Sequence, residues 1–166
     1  MHDTIMGFSS KEFYNDQLKA HDTVASRLVF EGDRPLLFID TAGCGFEEKM
    51  EGTSLSNPEE AAFMLKHLEG YLDDVRSQSP GVLPSVGVIS PYRHQVEILK
   101  EMVAVQDGLA GWRDRITVNT IDSFQGQERD VTLVPPRNLF VPGSIVRGRV
   151  AQARSPLVYG YDAAVP

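Results

Sequence analysis

The run Thr120 to Asp130 (TIDSFQGQERD) carries most of the groups in this chain that suit nucleotide chemistry. It follows an apolar run, Ile116 to Ile121, that reads as a buried strand. Open α/β sheets bind ligands where polar side chains and a glycine gather at the carboxyl end of such a strand. Gly126 permits a close backbone approach or a positive φ. Gln125 and Glu128 offer hydrogen bonds to a ribose or a phosphate-bound water, and Phe124 reads as a core anchor. Other chemistries find little support. Ser90, Ser123 and Cys44 have no evident His and carboxylate partners, and no G-x-S-x-G elbow exists. A single cysteine excludes a zinc site built on several thiolates, and the histidines (His2, His21, His67, His94) show no ligand spacing. No catalytic residue and no metal ligand is assigned.

A rival nucleotide reading lies upstream. Leu36 to Glu48 (LLFIDTAGCGFEE) is similar to the Asp-Thr-Ala-Gly loop of small GTPases. A GTPase also needs a phosphate-cradling G-x-x-x-x-G-K-[ST] loop and an Asn-Lys-x-Asp base-reading segment. Neither is present, and no Gly-Lys pair occurs anywhere. The simpler reading is a strand ending in a loop.

The elements that must position these groups alternate. Lys11 to Ala20 predicts a short helix with Phe13, Tyr14 and Leu18 on its apolar face. Leu36 to Asp40 predicts a strand buried on both faces. Residues 41–53 are Gly-rich and charged, hence loop. Asn57 caps a helix opened by Pro58, with Glu60 at capping-box spacing. Ala61, Met64, Leu65, Leu68, Leu72 and Val75 then recur at helical spacing. Val86 to Ser90 is a second buried strand. Pro91 starts the next helix with Ser90 as its cap, and Val96, Leu99 and Val103 form its buried stripe. Residues 108–114 read as loop, Ile116 to Ile121 as a third strand and Val131 to Val134 as a fourth. Strands joined by helices of this length call for a parallel sheet.

Composition bounds the class. The chain has 166 residues, 42% hydrophobic and 23% charged, which suits one domain with a real core. No apolar stretch approaches a membrane helix, and no membrane partner is expected. The N-terminus lacks a secretory pattern, so a cytoplasmic or other reducing compartment is expected. The net charge of −7 is uneven. Residues 1–75 hold 6 Lys/Arg against 15 Asp/Glu, while residues 76–166 hold 10 against 8. An acidic chain is a poor stand-alone nucleic-acid binder, yet it can supply one wall of a larger basic cleft.

Two motifs together carry a family resemblance. Asn119 to Asp130 resembles the fifth motif of superfamily 1 helicases, [VI]-x-[ST]-[VI]-D-x-F-Q-G-x-E-x-D. Gly87 to Gln95 (GVISPYRHQ) is similar to the motif before it, G-[VI]-I-[ST]-P-Y-x-x-Q. The nearest branch is that of the nonsense-mediated-decay and immunoglobulin-mu-binding helicases. Met1-His2 with Ile5, Phe8, Ser9, Phe13, Tyr14 and Leu18 resembles the stretch after that branch's Q-Y-R-M-H, and Asn57 to Ala61 resembles its N-x-x-E-[AV] helix start. The match runs in order from Met1 to about Val131.

The resemblance implies a second RecA-like domain. Its fold would be a three-layer α/β domain with a mainly parallel sheet and helices on both faces, truncated at both ends. ATP would lie between this domain and a first RecA-like domain, the partner missing from this chain. That domain would carry the phosphate loop and hold Mg2+. By position, Gln125, Gly126 and Glu128 would be ATP-binding. Ser90, Tyr92 and Thr120 would contact single-stranded DNA or RNA, and Asp122 would orient the loop or join an interdomain salt bridge. The chain is expected to form part of an ATP-dependent helicase or translocase and to be inactive alone. The alternative is a non-catalytic, helicase-derived module that binds nucleic acid or protein.

The tail departs from the pattern. Residues 1–134 read as the RecA-like domain and 135–166 as an irregular Pro/Arg-rich tail, out of frame or non-native. Residues 131–166 hold five of the ten prolines and four Arg, but no Lys or Glu. Arg154 lies in a weak match to the family's arginine-finger helix and is assigned no such role.

Overall fold

The computed structural model describes residues 2–41, 43–127 and 129–134, together with the backbone of 144–150. Its centre is a five-stranded sheet. The strands are β1 (Leu36–Asp40), β4 (Val86–Ser90), β5 (Ile116–Thr120), β6 (Arg129–Val134) and β7 (Ser144–Val150), in the order β1-β7-β6-β4-β5. β4 pairs in parallel with both β5 and β6, while β7 is antiparallel to both β6 and β1. The four strands expected from the sequence therefore all run the same way, with β7 reversed between two of them. β7 falls within the tail read as irregular. Its Ile145, Val146 and Val150 suit an extended backbone.

Helix α3 (Pro58–Gln78) begins where its local chemistry says it should. Asn57 accepts a hydrogen bond from the Glu60 N–H at 2.9 Å, and Pro58 takes a first-turn position that needs no donor. All six residues of the expected stripe are buried, joined by Tyr71. Helix α4 (Arg93–Val105) buries Val96, Leu99 and Val103 as expected, with Gln95 beside them. These helices form one core with Val86, Val88, Val118, Val131 and Leu133. Each leucine buried here contributes about 1.5–3 kcal/mol.

Alternation along the strands sends Gly87, Thr117 and Thr132 to the opposite face. Gly87 lies under the Phe124 ring. A Cβ there would stand 3.0 Å from Phe124 Cε1 and 3.1 Å from Arg129 Cγ. Glycine inside a strand marks such an approach.

Several local expectations are corrected. The first helix, α1, spans Asp3–Phe13 rather than Lys11–Ala20. The His2 side chain caps it, and left-handed Asn15 and Asp16 (φ 49° and 58°) turn the chain just where the expected helix would continue. Phe13, Tyr14 and Leu18 are exposed. β1 is a strand but is not buried on both faces. It lies at the sheet edge, with Leu36 and Phe38 40% and 44% exposed. The loop before α3 contains a hairpin, β2 (Lys49–Glu51) and β3 (Ser54–Ser56), turned by Gly52 at φ 60°. Asp107–Arg115 winds into 3₁₀ turns that bury Leu109 and Trp112. A four-residue helix, α2 (Asp22–Ala25), lies between α1 and β1.

Candidate nucleotide and nucleic-acid site

The loop after β5 is organised around Phe124. A short 3₁₀ turn, Asp122–Phe124, buries its ring against the sheet. The chain then reverses through Gln125 (φ −57°, ψ 128°) and Gly126 (φ 76°), and the Gln127 N–H donates to the Phe124 carbonyl at 3.0 Å. That is a type II turn, whose third residue must have positive φ. Gly126 is thus dictated by backbone geometry, and Gln125 and Gly126 are held exposed at the surface.

Two side chains absent from the sequence-based assignment tie this turn down. Gln127 Nε2 donates to the Ser123 carbonyl at 2.6 Å, and its Oε1 accepts from Arg129 Nη2 at 2.8 Å. The same nitrogen donates to Thr117 Oγ1 at 3.2 Å, and the Arg129 guanidinium lies 5.4 Å from the Phe124 ring centroid. Gln127 and Arg129 occupy variable positions of the motif, so nothing in the pattern singled them out.

Asp130 closes the motif at the other end. Its Oδ2 accepts from both the backbone N–H and the hydroxyl of Ser85, at 3.0 and 2.9 Å. The Ser85 Oγ in turn accepts from the Asp130 N–H at 3.0 Å. This reciprocal clamp aligns the starts of β4 and β6.

Ser90 and Thr120 are level with each other at the carboxyl ends of β4 and β5. Ser90 is 1% exposed, and its hydroxyl accepts from the Tyr92 N–H at 3.3 Å. It does not cap α4 at Pro91, as expected. The helix starts two residues later, at Arg93, and its N-cap Tyr92 makes no side-chain cap bond. The Pro91 ring removes the N–H there, so the Ser90 hydroxyl meets the next available donor. Tyr92 is half-buried. Thr120 Oγ1 lies 3.0 Å from Ser123 Oγ, linking the edge to the loop. Asp122 is exposed, and its carbonyl accepts from the Gln125 N–H at 3.3 Å.

The assigned residues thus fall into two groups. Ser90, Tyr92 and Thr120 share the carboxyl edge of the sheet, whereas Gln125 and Gly126 sit in the turn anchored across its face. Glu128 lies outside the described residues. Among those described, no group of three or more His, Cys, Asp or Glu side chains could hold a metal ion.

A second polar assembly braces the helices behind this edge. Gln95 Oε1 accepts from the Asn57 N–H at 2.7 Å, and its Nε2 donates to the Asn57 carbonyl at 3.1 Å. Gln95 is 3% exposed. The spacing of Asn57 and Glu60 predicts a reciprocal capping box, but Gln95 already holds the donor that Glu60 would need. Burial, with the nearby Glu48 charge adding to it, pushes the Glu60 carboxyl up from 4.5 to about 7. The hairpin meets the same edge. Ser54 Oγ accepts from the His94 N–H at 3.2 Å, and His94 Nε2 lies 3.2 Å from Glu51.

Comparison with known proteins agrees with this architecture. Residues 1–135 match a family model described as an AAA domain. The rat DNA-binding protein SMUBP-2 is 32% identical over 81% of this chain, which spans 14% of that protein. The DNA polymerase alpha-associated DNA helicase A of Saccharomyces cerevisiae is 36% identical over 81% of the chain, which spans 21% of it. Helicase sen1 of Schizosaccharomyces pombe is 31% identical over 79% of the chain, which spans 8% of it. On its matched fold and these relatives, the chain belongs to the AAA domain family, as a superfamily 1 helicase domain.

Proposed function

We propose that the chain is the second RecA-like domain of an ATP-dependent helicase or translocase of the nonsense-mediated-decay and immunoglobulin-mu-binding branch. It contributes one wall of the ATP cleft and backbone contacts to a single strand of DNA or RNA. The observation that carries the reading is the type II turn at Gln125-Gly126, presented outward by the Phe124 anchor and braced by Arg129. Gln125 and Gly126 touch the nucleotide, and Glu128 joins them by its place in the motif. Tyr92 and Thr120 face the nucleic-acid backbone, while Ser90 sets the position of Tyr92. Contacts of this kind are sequence-independent, as a translocating motor requires.

ATP supplies the γ-phosphate whose presence or loss biases the cleft between two conformations. The phosphate loop and Mg2+ belong to a partner RecA-like domain of the same parent. The isolated 166-residue chain therefore hydrolyses no ATP, because the groups that activate phosphoryl transfer lie elsewhere.

A chimera tests this. Residues 1–135 replace the matched stretch of the yeast helicase A relative, and ATP hydrolysis is measured with and without single strands. Strand-stimulated hydrolysis that is lost on Gly126→Val, in a chimera still folded by circular dichroism, is expected. Hydrolysis indifferent to substitution of Gly126 and of Gln125 would overturn the cleft assignment.

A further inference from the structure

The nucleic-acid contacts proposed above, Tyr92 and Thr120, are both neutral. Neutral contacts release no counterions, so they cannot supply the salt-linked part of binding to a phosphate backbone. An acidic chain that supplies one wall of such a site needs a cation at the edge where the strand lies.

We propose that Arg93 is that cation, a phosphate-contacting residue for single-stranded nucleic acid. It follows Tyr92 directly, three residues beyond Ser90, at the carboxyl edge where β4 and β5 end level. It is exposed, and among the described residues no carboxylate comes within ion-pair distance of its guanidinium. Its neighbour His94 is the contrast. Both His94 ring nitrogens are engaged, by Glu51 at 3.2 Å and Glu97 at 3.5 Å, so any charge it carries is already answered within the protein. Nor is Arg93 placed to stabilise α4. A cation in the first helical turn opposes the helix dipole, and a residue that offends a local rule without a local partner invites a functional explanation.

This inference rests on the nucleic-acid part of the proposed function, and one experiment separates the two. The affinity of the 166-residue chain for a deoxythymidine single strand, and for its uridine counterpart, is measured by fluorescence anisotropy across a salt series. Each phosphate contact on a single strand contributes about 0.7 to the slope of log affinity against log salt. Arg93→Gln is expected to shallow the slope by about 0.7, so that a fourfold rise in salt costs about 2.6-fold less affinity than in the native chain. Arg93→Lys keeps the charge and is expected to keep the slope. Arg76→Gln, a charge removed at the far end of α3, is expected to leave it unchanged. Binding whose slope is the same in Arg93→Gln and native chains overturns the Arg93 assignment alone. Native chain that binds neither strand at low salt overturns the nucleic-acid reading and the Arg93 assignment with it. A loss of slope equal in Arg76→Gln and Arg93→Gln assigns the effect to bulk charge and also overturns the proposal.

Discussion

Glu60 is expected to make the fold less stable as pH rises through neutrality. Its carboxyl is pushed up to about 7 by burial first and by the Glu48 charge second, so the folded state holds this proton more tightly than the unfolded chain does. The resulting stability is fully present below pH 4.5, declines between 4.5 and about 7, and is gone above that. At 1.36 kcal/mol per pH unit the span sets a ceiling of about 3 kcal/mol. Partial exposure of the side chain screens this to roughly 1–2 kcal/mol. Glu60→Gln keeps the shape and removes the charge. It also forfeits a favourable carboxylate–dipole interaction at the start of α3, worth about 0.3–1 kcal/mol. The net expectation is a gain of about 1 kcal/mol at pH 8.5, or roughly 2–4 °C in Tm for a chain of this size. At pH 4.5 the gain is expected to vanish. Trp112, the chain's one tryptophan and 3% exposed, reports the transition by its fluorescence. Glu48→Gln is expected to reproduce a smaller part of the gain, with the same pH dependence. A Glu60→Gln chain no more stable than native at pH 8.5, or equally stabilised at both pH values, refutes the reasoning.

Three further outcomes are expected. Gln95→Leu strands the Asn57 N–H in the interior, while the Asn57 carbonyl keeps the Ala61 N–H at 3.0 Å, and is expected to cost about 1–3 kcal/mol in urea unfolding; a loss well below about 1 kcal/mol means that water or Glu60 takes over the pairing. Asp130→Ala removes the acceptor for two Ser85 donors and is expected to cost about 2–3 kcal/mol, with faster amide exchange at Ser85; unchanged exchange at Ser85 counts against the clamp. Gly87→Ala makes the Phe124 ring and the Arg129 stem give way by a few tenths of an ångström, at about 1 kcal/mol, and is expected to speed amide exchange at Gln127; a Gln127 amide as protected as in the native chain shows that the turn does not depend on that contact.

What the sequence determined by itself was whatever rests on neighbours in the chain. Asn57, Pro58 and the apolar spacing placed α3 and its buried stripe, because capping and helical periodicity act within a few residues. Val86 to Ser90 reads as a buried strand because a short apolar run follows the Ser79-Pro80-Gly81 break and stops at Pro91, and all five residues are buried. The order of the two helicase-like motifs pointed to the family. Tertiary structure decided what depends on residues distant in sequence. Gln95 takes the Asn57 N–H across 38 residues, so the capping box implied by local spacing is not made. Gly87 accommodates Phe124, and Asp130 clamps Ser85 across 45 residues, although neither pairing leaves a periodic trace. Helix α1 was misplaced because its limits depend on a histidine cap and two left-handed residues rather than on apolar spacing. β1 reads as apolar wherever it lies, and only the strand order puts it at an edge with Leu36 and Phe38 exposed. Gly126 is visible as a glycine, but its necessity follows from the type II turn, which closes on the carbonyl of the buried Phe124.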